Sequence, residues 1–144
     1  MFRQLAHGHR LIRYDERGNG LSDWNVDDLT FEAFVTDLET VVDATQLDQF
    51  ALLGISQGAA VSIEYAIRHP ERVSKLILFG GYPAGWRIDA SPDSIREREA
   101  VMTLVASGWG QDNPAYRQIF SSTFMPTATA DELQWFNEFQ RATT

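Results

Sequence analysis

The 144-residue chain contains no cysteine, which excludes disulfide bridges and thiolate metal ligands and leaves cysteine usage silent about redox compartment. Histidine is scarce: His7, His9 and His69 are the whole supply. Basic residues are also short, 12 Lys and Arg against 20 Asp and Glu, for a formal charge of −8. With no basic run to offset that balance, a nucleic-acid partner is not expected. No apolar run approaches membrane-spanning length, and the first residues lack the apolar region of a signal peptide. The expectation is a soluble cytoplasmic protein without a membrane partner. No His, Asp and Glu cluster has metal-ligand spacing and no glycine-rich phosphate loop is present, so neither metal nor cofactor is expected.

What the chain does have is apolar residues, 44% of the total, enough for a real core in one domain. Residues 1–7 read as the tail of a helix with Phe2 and Leu5 on one side and Gly8 as its stop. Residues 9–14 (His-Arg-Leu-Ile-Arg-Tyr) read as a strand, followed by a loop in which Gly18 and Gly20 allow tight turns. Thr30 caps a helix whose Phe31, Phe34, Val35, Leu38, Val41 and Val42 recur at three- and four-residue steps. Glu32, Asp37, Glu39 and Asp43 fall on its other side, as a solvated face. Residues 50–53 form a second strand and residues 75–79 a third, closed by Gly80 and Gly81. Strand, helix, strand, helix, strand is a parallel α/β layout of about three strands with flanking helices. From Ser91 onward the pattern is helical. Ser91-Pro92, Asp112-Asn113-Pro114 and Thr129 with Glu132 mark three helix starts. The expected organisation is an α/β core over residues 1–87 and a helical cap over residues 88–144.

The most specific feature is Gly54-Ile55-Ser56-Gln57-Gly58, a G-x-S-x-G pentapeptide. It lies between the residue 50–53 strand and a helical pattern with Ala59, Ala60, Ile63 and Ile67 on one face. In a nucleophile elbow the chain turns sharply from strand to helix and holds the serine strained, with its Oγ exposed. Gly54 and Gly58 are expected there because a Cβ at either position would collide with the neighbouring strand or helix. The helix should stop at His69, which precedes Pro70.

Three ordered motifs together resemble the α/β-hydrolase fold family. Residues 14–23 (Tyr-Asp-Glu-Arg-Gly-Asn-Gly-Leu-Ser-Asp) resemble the loop after its fourth strand. Gly54 to Ala59 resembles its elbow, and His69-Pro70-Glu71-Arg72-Val73 its passage into strand six. The resemblance runs from residue 1 to about 87. It is closest to hydrolase domains that stand alone or are fused to LuxR-type or nucleotide-cyclase modules, whose cap residues 91 onward resemble. It implies that Ser56 is the nucleophile and that the Gln57 backbone N–H supplies half of an oxyanion hole. The implied reaction is acyl transfer to water from a small-molecule ester or lactone. Tyr82, Trp86, Trp109 and Trp135 are candidates for an apolar pocket, although Trp135 also sits beside the Leu133 and Phe136 packing stripe. Arg17 is expected to bond nearby carbonyls or Asp15 rather than substrate.

The family order is serine, acid, histidine, and here no histidine follows the cap. His69 reads as a helix-end residue and His7-Gly8 as a helix stop, not as an oxyanion loop. Asp89, Asp93, Asp112 and Asp131 read as caps or exposed residues, leaving no clear acid. The chain is therefore expected to be truncated at both ends and weak or inactive alone. In the family a third strand lies between those matching residues 9–14 and 50–53. Either these two pair directly here or another chain fills the gap, and two copies could associate by strand pairing or exchange. The alternative reading is a non-catalytic ligand-sensing or interaction module on the same scaffold.

Overall fold

The computed structural model describes residues 2–82, 84–108, 111 and 113–141. They fall into two units, Met1–Pro83 and Ala84–Thr144.

The first unit opens with a single turn, α1 (Phe2–Leu5), and a hydrogen bond from His7 N–H to Gln4 O closes the stop before Gly8. Helix α2 (Phe31–Thr45) begins where Thr30 Oγ1 accepts from Ala33 N–H and ends on Gln46 in a left-handed conformation. Strand β1 (Phe50–Ile55) leads into α3 (Gln57–Arg68), and β2 (Val73–Phe79) returns parallel to β1. The β1–α3–β2 unit is a parallel crossover, and the register runs from Phe50↔Val73 to Ile55↔Phe79 with one irregularity after Phe50.

The core is the seam between α2 and α3. Val35, Leu38 and Val42 meet Val61 and Tyr65, and Tyr14, Phe50, Leu52 and Val73 pack on that cluster. The buried line of α3 is Ala59, Val61, Ser62 and Tyr65. Ile67, expected on the inner face, is instead 68% exposed. The helix turns by 3.6 residues, so a face anchored at Ala59, Ser62 and Tyr65 rotates Ile67 away from α2.

Residues 9–14 do not form a strand. They make no backbone–backbone hydrogen bond among the described residues, and the sheet has two strands, not about three. Side-chain exposure nonetheless alternates from Leu11 to Glu16, as it does along a strand. The segment has a strand's alternation and lacks the neighbour that would give it a ladder.

The acidic side of α2 is also more than a solvated face. Arg68 bonds Glu32 through both terminal nitrogens at 2.7 and 2.8 Å and Glu64 through Nε at 2.8 Å. His69 Nε2 lies 2.9 Å from Glu39 Oε1, its ring against Tyr65 at a centroid separation of 4.7 Å. Arg17 forms a two-pronged pair with Asp37 at 2.6 Å on both contacts. These pairs fix how α2 lies against its neighbours.

In the second unit α4 (Pro92–Gly108), α5 (Pro114–Phe124) and α6 (Ala130–Arg141) follow the expected starts. Ser91 Oγ accepts from Ser94 N–H. The cap of α5 is Asn113, whose Oδ1 accepts from Ala115 N–H. Asp112 lies outside the described residues. A capping box joins Thr129 and Glu132, and the bond from Thr129 N–H holds the Glu132 carboxyl below its usual range. Buried Ser121 on α5 donates to Asn137 Oδ1 on α6 at 2.6 Å. Among the described residues no helix is long and apolar enough to cross a membrane.

Leu38→Ala should cost about 2–5 kcal/mol, because it empties a buried position on the α2–α3 seam. Leu21→Ala, at a fully exposed position, should stay within about 0.5 kcal/mol. Urea titrations followed by circular dichroism measure both.

Candidate active site

Ser56 occupies the junction of β1 and α3. Its backbone sits at φ 54° and ψ −121°, a region that costs a non-glycine residue about 1–3 kcal/mol. The strain is held from both sides. Ser56 N–H donates to Phe79 O at the end of β2 (2.9 Å), and Ser56 O accepts from Ala59 N–H (3.0 Å). The side chain makes no capping bond, and Ser56 is exposed. Gln57 is the first residue of α3, so its N–H has no acceptor within the helix and lies at the positive end of the helix dipole.

The two glycines of the pentapeptide do different things. A Cβ at Gly54 would lie 2.6 Å from Gly58 O, 2.6 Å from Ser62 Oγ and 2.7 Å from Ala59 Cα. Gly54 therefore lets β1 pass directly under the first turn of α3. A Cβ at Gly58 would meet nothing within 4 Å. The expected collision is absent there, because Gly58 is on the side of the first turn that faces open space. Gly81, outside the motif, has the second close approach: its Cβ would stand 2.3 Å from the Ala59 Cβ. A small residue at position 59 followed by glycines after β2 was the sequence signal for it.

The histidine nearest to Ser56 in sequence stands at the opposite end of α3 from it. His69 closes the far end of α3, a helix of 12 residues and so about 18 Å long, and it is engaged with Glu39. His7 and His9 are exposed near α1. Tyr82 is 59% exposed and belongs to the first unit, whereas Trp86 belongs to the second. There the guanidinium carbons of Arg87 and Arg98 stand 4.8 and 5.2 Å from the Trp86 ring centroid. Trp109 lies outside the described residues, and Trp135 is 67% exposed. Asp93 pairs with Arg96, which accounts for it as a helix-start residue.

The loop after residues 9–14 is held by its own side chains. Asp15 Oδ2 accepts from Leu21 N–H at 3.0 Å, Ser22 Oγ donates to Asp15 O at 2.6 Å, and Trp24 Nε1 donates to Gly20 O at 2.8 Å. Arg17 donates to Asp28 O, as expected of a carbonyl partner, but its carboxylate is Asp37 rather than Asp15. Asp37 is 20 residues away in sequence, beyond the reach of a local pattern. Burial, with the charges of Glu16 and Asp37 beside it, pushes the Tyr14 hydroxyl up to about 12. Burial and Asp37 also raise the Glu16 carboxyl above its usual range.

A cleft of about 610 Å³ runs along the free edge of β1. Residues 10–16 also line it, with Leu38, Val41, Val42 and Thr45 of α2 and Val61 and Ser62 of α3. Tyr82 does not line it. Among the described residues no group of three or more His, Asp or Glu could hold a metal ion.

A parallel β–α–β crossover with a strained serine at the strand-to-helix turn defines a hydrolase-type α/β architecture. The alpha/beta hydrolase fold model matches residues 1–138, and the chain belongs to that family. It is 33% identical over 93 residues to a 2-hydroxymuconate semialdehyde hydrolase of Pseudomonas sp. (strain CF600), covering 64% of this chain and 33% of the relative. It is 30% identical over 141 residues to the AB hydrolase superfamily protein YisY of Bacillus subtilis (strain 168), covering 90% of this chain and 48% of that protein. The esterase EaEST of Exiguobacterium antarcticum superposes with a TM-score of 0.63 at 26% identity, over 89% of this chain and 48% of the esterase. The chain thus spans between a third and about half of the length of these relatives.

Gly54→Ala should destabilise by about 2 kcal/mol or more, through overpacking of β1 against α3. Gly58→Ala should be neutral or stabilise by up to about 1 kcal/mol, since alanine is the better helix former. Thermal melts of the two variants separate these outcomes.

The raised Tyr14 hydroxyl contributes stability that is complete below about pH 10 and lost as pH rises through about 12. Ultraviolet titration should show a late phase near pH 12 that disappears in Tyr14→Phe, while Tyr65, which burial also raises above the usual tyrosine value, keeps its own delayed phase.

Proposed function

We propose that the chain carries the nucleophile half of a serine hydrolase acting on a small-molecule carboxylic ester or lactone through Ser56. The observation that carries this reading is the Ser56 backbone at φ 54° and ψ −121°, strained between β1 and α3 with the side chain exposed. In the reaction Ser56 Oγ bonds to the substrate carbonyl carbon while the carbonyl electron pair moves onto oxygen. The Gln57 N–H, at the start of α3, is aimed at that developing charge. Collapse of the tetrahedral adduct expels the alkoxide and leaves acyl-Ser56, which water hydrolyses. An esterase and a hydrolase among the similar proteins support this chemistry.

The Ser56 hydroxyl makes no hydrogen bond to any described histidine, and His69 is committed to Glu39 at the other end of α3. Without an imidazole the hydroxyl proton passes to water or to a base from outside these residues. Activity of the chain alone is then residual, since loss of a triad member leaves about 10³–10⁴-fold catalysis over water. Tyr82, Trp86 and Trp109 remain the proposed pocket residues, and an association of two copies is a proposed route to a base supplied in trans. The same unpartnered hydroxyl favours a second reading, a ligand-sensing module that retains the scaffold without the chemistry.

Turnover of a p-nitrophenyl ester by the purified chain should be weak and abolished in Ser56→Ala, with fluorophosphonate labelling confined to Ser56. Weak turnover that survives Ser56→Ala sinks the nucleophile assignment. Complete absence of labelling favours the sensing module, and strong Ser56-dependent turnover by a monomer refutes the claim that the base lies elsewhere.

A further inference from the structure

The chain leaving β2 bears on one peptide of the serine turn. Ser56 C=O and Gln57 N–H belong to the same planar unit, so whatever fixes the carbonyl also fixes the direction of the N–H. The carbonyl accepts from Ala59 N–H at 3.0 Å. Gly81 lies against the same turn: a Cβ there would overlap the Ala59 Cβ and stand 3.7 Å from Ser56 O. Ala59 is fully buried, so it has little room to yield. Two residues earlier, Phe79 O holds Ser56 N–H at 2.9 Å. Gly80, at φ 62°, bends the chain from that bond to the Ala59 contact, and a Cβ on it would meet nothing within 4 Å. Glycine is thus required at 80 for its dihedrals and at 81 for its size.

We infer that Gly81 is a positioning residue for the reaction proposed for Ser56, and the inference rests on that reading. By admitting the end of β2 against Ala59, it holds the Ser56–Gln57 peptide in the orientation that presents Gln57 N–H to the oxyanion. It acts through Ala59 and the Ser56 carbonyl, not on the substrate. Positions 59 and 81 share one size limit: a single methyl fits between them and two do not. Adding a methyl at 81 should therefore disturb the turn, and removing the one at 59 should make room for it.

The test uses the full chain as wild type, Gly81→Ala, Ala59→Gly and the double variant. Fluorophosphonate labelling over a range of probe concentrations gives a limiting rate and a half-saturating concentration separately. Gly81→Ala should lower the limiting rate by at least about tenfold, against about 10²–10³-fold for complete loss of an oxyanion donor. The half-saturating concentration should stay within about twofold. Hydrogen exchange at the Ser56 and Ala59 amides, whose acceptors are Phe79 O and Ser56 O, should quicken by at least about tenfold. The double variant should return rate and exchange to within about threefold of Ala59→Gly alone. Leu38→Ala, destabilised on the α2–α3 seam, should keep the wild-type limiting rate, which separates positioning from lost stability. A wild-type limiting rate in Gly81→Ala overturns the inference, as does a double variant that labels no faster than Gly81→Ala. If Gly81→Ala does not fold, the double variant decides: parity with Ala59→Gly supports the inference and a lasting deficit overturns it. A wild type that takes no label overturns the nucleophile reading, and the inference falls with it. A labelled wild type beside an unaffected Gly81→Ala overturns the inference alone.

Discussion

The structure depends on one steric constraint, the absence of a side chain at Gly54. With the Gly58 carbonyl and the Ser62 hydroxyl both 2.6 Å from where a Cβ would stand, strand and helix approach more closely than any other residue permits. That approach forces the turn between them into a single residue, and the residue is Ser56. The bond from Ser56 N–H to Phe79 O then ties the strained turn to the end of β2. Strain, exposure of the serine and the unpartnered Gln57 N–H are consequences of one missing methyl group.

The α2–α3 seam supports this arrangement from behind. Its apolar members are few, and a line of ion pairs continues it outward through Arg68, His69 and Arg17 to carboxylates on α2. Such exposed pairs are individually weak. Their use here is orientational, because forked contacts from Arg17 and Arg68 allow one rotation of α2 about its axis and not its neighbours.

Local signals read correctly from the sequence. Thr30, Ser91 and Thr129 cap helices because a hydroxyl satisfies a first-turn N–H wherever it stands. The strand-to-helix turn at Ser56 was legible because apolar period and glycine spacing both change within five residues. Partnerships across space were not. The sequence holds a strand pattern at residues 9–14 but does not tell that no described strand pairs with it, and the acidic face of α2 gives no sign of Arg68 or Arg17. Gly58 shows the limit from the other side. Its motif position implied a collision, yet the direction its missing Cβ would take depends on how α3 leaves the turn.

Strand β2 carries a consequence of another kind. Leu76, Ile77, Leu78 and Phe79 are between 38% and 71% exposed, on consecutive residues whose side chains alternate between the two faces of the strand. Such a ribbon is adhesive, and in a neutral protein it would promote precipitation. The excess of 20 acidic over 12 basic residues supplies a long-range repulsion between molecules that the strand itself lacks. Colloidal behaviour, a property of the whole surface, is thus set against a hazard confined to seven residues.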